Sequence, residues 1–171
     1  MFIYVKASPW SDEPILVNIN CRNEILLDYC QSVVLRDNVI DELKQREADA
    51  STRVALLQNS VEPALLEDEG DEVVTAEQKE LAKWQTYRES LKSAISQMDN
   101  PNRHIDLVGG DDMSPLGLKM NPRGCAADSL ENKASYQLAV KIGESEQLAS
   151  VHSIASISSP EEAQAEDGAQ E

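Results

Sequence analysis

Hydrophobic and polar positions alternate at the start of the chain. Ile3 and Val5 fall on one face, Phe2, Tyr4 and Lys6 on the other, and Ile15-Leu16-Val17-Asn18-Ile19-Asn20 repeats the same two-residue period. Two strands are predicted, joined across Ser8 to Pro14, where Pro9 and Pro14 cannot donate to a ladder and so mark a hairpin loop longer than the minimum. From Cys21 to Val34 the spacing turns helical, with Leu26, Cys30 and Val33 on one stripe and Asn20 placed to cap it.

Two longer amphipathic runs follow. Ile40, Leu43, Ala50, Val54, Leu57 and Val61 recur at three-four spacing, broken by Glu47, and Leu81, Trp84, Leu91, Ile95 and Met98 do the same, broken by Arg88. Thr75 and Gln78 form a capping-box pattern at the start of the second run, and Asp99-Asn100-Pro101 stops it. Between them the acidic stretch Glu67-Asp68-Glu69-Gly70-Asp71-Glu72 is a connector that lets the helices fold back as a pair. Either this hairpin buries its own seam, or residues 37–98 present a heptad interface to another chain.

After Pro101 the two-residue period returns. His104 to Val108 is a short strand, Gly109-Gly110-Asp111-Asp112 is turn chemistry, and Leu116 to Lys119 is a weak return strand. Asn121-Pro122-Arg123-Gly124 opens an irregular stretch, and Tyr136 to Ile142 is the clearest strand of the later half. Residues 144–171 are poor in large side chains and are expected to form a disordered acidic tail.

With residues 37–101 set aside, the order is that of the ubiquitin-like β-grasp, and Met1-Phe2-Ile3-Tyr4-Val5-Lys6 looks like the opening strand of ubiquitin. The chain also resembles a small animal family typified by human chromosome X open reading frame sixty-five protein. The likeness rests on Met1-Phe2-Ile3, Leu16-Val17-Asn18-Ile19-Asn20-Cys21, Ile105-Asp106-Leu107, Asp111-Asp112, and Tyr136 to Ile142 with Gly143-Glu144. The resemblance implies an α+β chain with a split β-grasp domain over 1–35 and 104–143; it leaves unexplained the helical insertion over 36–103, which departs from the family, and the tail over 144–171, both read from the residues themselves. It carries no activity or site across.

Composition narrows the function. The chain has 171 residues and a net charge of -16, from 15 Lys and Arg against 31 Asp and Glu. That balance opposes binding to phosphate-bearing surfaces, so neither nucleic acid nor an anionic membrane is an expected partner. No apolar run approaches the length of a membrane span, and the start lacks a signal-peptide pattern, so a cytoplasmic or nuclear protein is expected.

No catalytic, cofactor-binding or metal-binding motif is present, and no cofactor is expected. Cys21, Cys30 and Cys125 show no pairing spacing, since nine residues on one helix place Cys21 and Cys30 on nearly opposite sides. His104 and His152 are far apart. Gly109-Gly110 lies inside the chain, where it cannot serve as the terminal glycine of a conjugated modifier. In the tail, Ser159 in Ser158-Ser159-Pro160-Glu161-Glu162 is a candidate phosphorylation site.

The strongest candidate surface is the outer face of the sheet. If Ile3, Val5, Val17, Ile19, Leu138 and Val140 point to the core, the two-residue period turns Phe2, Tyr4, Leu16 and Lys141 outward together. That patch is either a partner site or covered from within by the helical insertion through Trp84. The expected role is a non-catalytic interaction module for another protein. The alternative is a self-associating coiled-coil component.

Overall fold

The computed structural model describes residues 1–11, 13–61, 76–99, 104–109, 114–141 and 148–162. It is α+β and divides into two compact units, one of residues 1–42 and 94–156, the other of residues 43–93 and 157–171. The division falls inside the two long helices, so residues 36–42 and 94–103 lie in the first unit.

In the first unit β1 (Phe2–Lys6) pairs antiparallel with β2 (Ile15–Asn18) and parallel with β5 (Ser135–Lys141). β5 pairs antiparallel with β3 (Ile105–Gly109), which takes the two-residue β4 (Ser114–Pro115) on its far side. The strand order is β2-β1-β5-β3-β4. The inner face carries Ile3, Val5, Val17, Leu107, Leu138 and Val140, all buried, as the alternation requires. Leu26, Cys30 and Val34 of the following helical run complete that core.

That run differs from the sequence expectation. Helix α1 (Asn23–Tyr29) passes without a break into a π-helical stretch, Cys30–Ile40, and on into α2 (Asp41–Val61). The buried residues explain it: Cys30, Leu35 and Ile40 recur every five positions, and so do Val34 and Val39. Five residues overshoot one α-helical turn but match an i to i+5 ladder. The Asp41 amide bonds the Arg36 carbonyl, and the Asn38 side-chain amide reaches the Val33 carbonyl at 2.6 Å. Val33, assigned to the core stripe by a three-four count, is half-buried.

Asn20 does not cap α1. Its own amide bonds the Asn18 side chain at 2.9 Å, and the first amides of α1 are met by backbone from the loop after β4. Asn23 donates to the Gly124 carbonyl at 2.9 Å and Glu24 to the Pro122 carbonyl at 3.0 Å, while the Asn23 side chain donates to the Asn121 carbonyl at 2.8 Å. The expected return strand at Leu116 to Lys119 is replaced by β4 and a 3₁₀ turn, Leu118–Met120, which buries Leu118. Gly117, at φ +65°, makes that turn possible.

The expectation of a structureless tail from 144 onward is corrected over residues 148–155. Leu148–Ser150 forms β6, which pairs with Ala139–Lys141, and Val151–Ala155 forms helix α5. β3 occupies the other edge of β5, so β6 takes the place along β5 that β1 leaves beyond Gln137. Val151 and Ala155 are buried, and the Ser150 hydroxyl bonds the Gln137 side chain at 2.8 Å. His152 Nδ1 lies 3.3 Å from the Ser8 carbonyl, a contact that needs the ring protonated at Nδ1. Few but well-placed apolar residues are enough here because an existing sheet edge receives them.

In the second unit, Ala50 and Val54 of α2 and Trp84, Tyr87 and Leu91 of α3 (Ala76–Met98) are buried. Trp84 and Tyr87 meet edge to face with centroids 5.8 Å apart, and Arg53 pairs with Glu80 across the two helices at 3.2 Å. Thr75 of the expected capping box and the acidic connector 67–72 lie outside the described residues.

Candidate interaction surface

Three of the four predicted surface residues come together. Tyr4 stands opposite Leu16 in the β1–β2 register and Phe2 opposite Asn18, so Phe2, Tyr4 and Leu16 form one outward cluster. Their exposures are 47%, 37% and 55%, high for side chains of this size. Lys141 does not belong to the cluster. Tyr4 aligns with Ser135, and six residues farther along β5 at about 3.3 Å each put Lys141 roughly 20 Å away. There Lys141 is half-buried and pairs with Leu148. Lys6, two residues beyond Tyr4 on the same face, and Lys133, whose amide bonds the Phe2 carbonyl at 2.6 Å, are the nearer cations.

The middle of that face is closed. Asp106, Val108 and Ala139 point the same way as Tyr4, yet all are buried. The large exposed apolar side chains of the sheet therefore lie on the β2–β1 side, and the exposure continues around the edge of β2 onto α1. Ile25 and Tyr29, one helical turn apart, are 55% and 38% exposed. With Phe2, Leu16, Val17 and Leu26 they line a groove of about 380 Å³. This extension was absent from the sequence reading, though Ile25 and Tyr29 at i, i+4, about 100° round the helix from the buried Leu26–Cys30 stripe, were a usable signal.

The main chain at this edge is also available. The Ile19 amide bonds the Met1 carbonyl at 3.1 Å, which makes Ile3 with Val17 and Val5 with Ile15 the hydrogen-bonded pairs, since bonded and non-bonded pairs alternate. Leu16 and Asn18 then direct their N–H and C=O groups away from β1. The other flank of β1 follows the same alternation, with the Tyr4 amide bonding the Ala134 carbonyl at 3.0 Å.

The cysteines are arranged differently from expectation. Cys21 precedes α1, so a helical wheel does not relate it to Cys30. Cys21 and Cys125 lie on adjoining segments, joined by an Arg22–Cys125 bridge and by the Ala126 amide bonding the Cys21 carbonyl at 2.9 Å. Burial pushes the Cys21 thiol above its ordinary value, with a smaller push from Cys125. Cys30 is fully buried, and burial, with a smaller contribution from Cys21, drives its thiol from 9.0 up to about 12.

The folded chain then holds a proton on Cys30 that the unfolded chain releases above pH 9, so stability is complete below that pH and declines toward pH 12. Between pH 8 and pH 10 the loss from this one group is expected to be about 1 kcal/mol. Urea midpoints of the intact chain and of Cys30→Val at the two pH values should show it, and an equal decline in both would assign the effect elsewhere.

Among the described residues no group of three or more His, Cys, Asp or Glu side chains is placed to hold a metal ion. Among them, no helix is long and apolar enough to cross a membrane. Ser159 is half-buried and caps a helical turn: its hydroxyl accepts the Glu162 amide at 3.2 Å while the Glu162 carboxylate accepts the Ser159 amide at 2.7 Å. Comparison of the chain with protein-family models, curated proteins and solved structures gives no match in any of the three.

Proposed function

We propose that this chain is a non-catalytic protein-interaction module whose first unit is a ubiquitin-like β-grasp. The strand order β2-β1-β5-β3-β4, with β1 and β5 parallel at the centre and α1 following the first hairpin, supports the grasp. The observation that carries the interaction reading is the joined apolar surface of Phe2, Tyr4, Leu16, Ile25 and Tyr29, on a sheet whose outer face is buried at Asp106, Val108 and Ala139. An isolated exposed Leu is ordinary, whereas a contiguous cluster at one edge marks a contact surface.

The alternative, self-association through residues 37–98, has less exposed surface to work with. Ala50, Val54, Trp84, Tyr87 and Leu91 are already buried within the single chain, and Leu56 is the one large apolar side chain of α2 and α3 that is exposed among the described residues.

The test is quantitative affinity purification from source tissue with the intact chain beside a Tyr4→Glu, Leu16→Glu form shown by circular dichroism to stay folded. At least one specific partner should fall by about tenfold, because each charge lands in apolar contact. An unchanged partner list would remove this surface from consideration. Concentration-dependent sedimentation of a chain with no partners would favour the coiled-coil reading.

A further inference from the structure

The kind of partner follows from the edge of β2, and this inference rests on the interaction-module reading. β2 closes one side of the sheet and, among the described residues, pairs with β1 alone. Leu16 and Asn18 aim two N–H and two C=O groups outward. The Asn18 carbonyl holds the Cys21 thiol at 3.6 Å, a contact weak enough to be displaced. Such an edge is a template for one more strand. The groove beside it supplies what a bare edge lacks, an apolar wall of Ile25, Leu26 and Tyr29 for every second side chain of that strand.

Charge sets the flanks of the added strand. No charged side chain lines the groove, but from residue 13 to residue 29 the sequence carries Glu13, Glu24 and Asp28 against Arg22 alone. Arg22 is already paired with Glu24 at 3.4 Å. The whole chain adds a net charge of -16. A second copy would bring the same acids against themselves along a four-residue strand, so a β2–β2 dimer is disfavoured. We infer that β2 receives an extended segment of another protein, with aliphatic side chains at alternate positions and Lys or Arg on both flanks, added as a further strand of the sheet.

The probe is the synthetic peptide Lys-Lys-Val-Thr-Val-Thr-Val-Lys-Lys, titrated into the isotope-labelled full chain and followed by amide NMR shifts. The largest shifts are expected at Leu16, Asn18, Ile25 and Tyr29. N-methylation of alternate peptide bonds should weaken binding about tenfold or more, since at least two hydrogen bonds to the edge are lost. Exchanging the flanking Lys for Glu should weaken it by a similar factor at low salt, with the difference shrinking as salt is raised. Leu16→Pro removes an outward N–H without removing a bond to β1 and should act like the methylated peptide. Should that variant fail to fold, the methylated peptide makes the same test on the unaltered chain.

Equal binding of methylated and plain peptides, or shifts centred on Phe2 and Tyr4 with the edge amides unmoved, would overturn strand addition while leaving the interaction reading standing. Shifts at Leu16 and Asn18 that appear with protein concentration alone, together with a dimer in sedimentation, would assign the edge to a second copy and overturn the inference. No binding of the peptide by a chain that still captures a partner through Tyr4 and Leu16 would overturn strand addition by such a segment alone. No binding in either experiment would overturn both readings.

Discussion

Leu138→Ala is expected to lower the stability of the first unit by about 3 to 5 kcal/mol, the range for emptying a fully buried leucine site. Leu138 is completely buried in β5, the strand that holds β1 on one edge and β3 on the other, and it stands opposite the equally buried Leu107. Strands on both edges leave little freedom to collapse around the lost methyls, which places the cost toward the upper end. Against a typical total of about 5 to 15 kcal/mol, that loss leaves a marginal fold. Urea unfolding of a Trp84→Phe background reads the first unit by itself, because Trp10 is then the only tryptophan and lies in that unit. Leu138→Met, which keeps volume, should cost less than about 1.5 kcal/mol, and Leu16→Ala on the exposed edge less than about 1 kcal/mol. A cost at Leu138→Ala as small as that at Leu16→Ala would mean that β5 is not the centre of the core.

Side-chain alternation made the sheet legible in the sequence because it depends only on neighbours in sequence. Ile3, Val5, Val17, Leu138 and Val140 face inward and Phe2, Tyr4 and Leu16 outward, as a two-residue period demands. The period does not say how far apart two outward residues lie, since that depends on register. Lys141 shares the outward face of β5 but sits at the end where β5 has passed β1 and met β6. The π-helical stretch was hidden for a different reason. A three-four count takes Leu26, Cys30 and Val33 as a stripe that ends at Val34 and starts a new run at Ile40, whereas a five-residue count over Cys30, Leu35 and Ile40, and over Val34 and Val39, carries one helix straight into α2.

Long-range backbone bonds left no local trace at all. The cap on α1 comes from Pro122 and Gly124, about a hundred residues away, and β6 is a strand because β5 has a free edge for it. The groove beside β2 belongs to the same class. Phe2 and Leu16 were read as outward-facing from the sequence and Ile25 and Tyr29 were not, and the adjacency of the two walls depends on α1 being held at its first turn by that distant loop.

Asp106→Ala is expected to cost about 3 kcal/mol and to loosen that wall of the groove. Asp106 is buried on the outer face of β3, where its two carboxylate oxygens accept the Leu107 and Gly117 amides, each at 2.8 Å. Hydrogen bonds to a charged acceptor contribute about 1.5 to 3 kcal/mol each, and their removal here leaves buried donors without a partner. The Gly117 bond fixes the turn that leads to Leu118, then to the loop whose carbonyls meet the first amides of α1, and so to Ile25 and Tyr29. Asp106→Asn keeps one acceptor oxygen and should lose about half as much. Hydrogen exchange would follow the path directly: in Asp106→Ala the Gly117, Asn23 and Glu24 amides should exchange faster, while Ile19, bonded to Met1 in the first hairpin, keeps its protection relative to global unfolding. Uniform acceleration at all four amides would mean that Asp106 supports the fold as a whole and not the placement of α1.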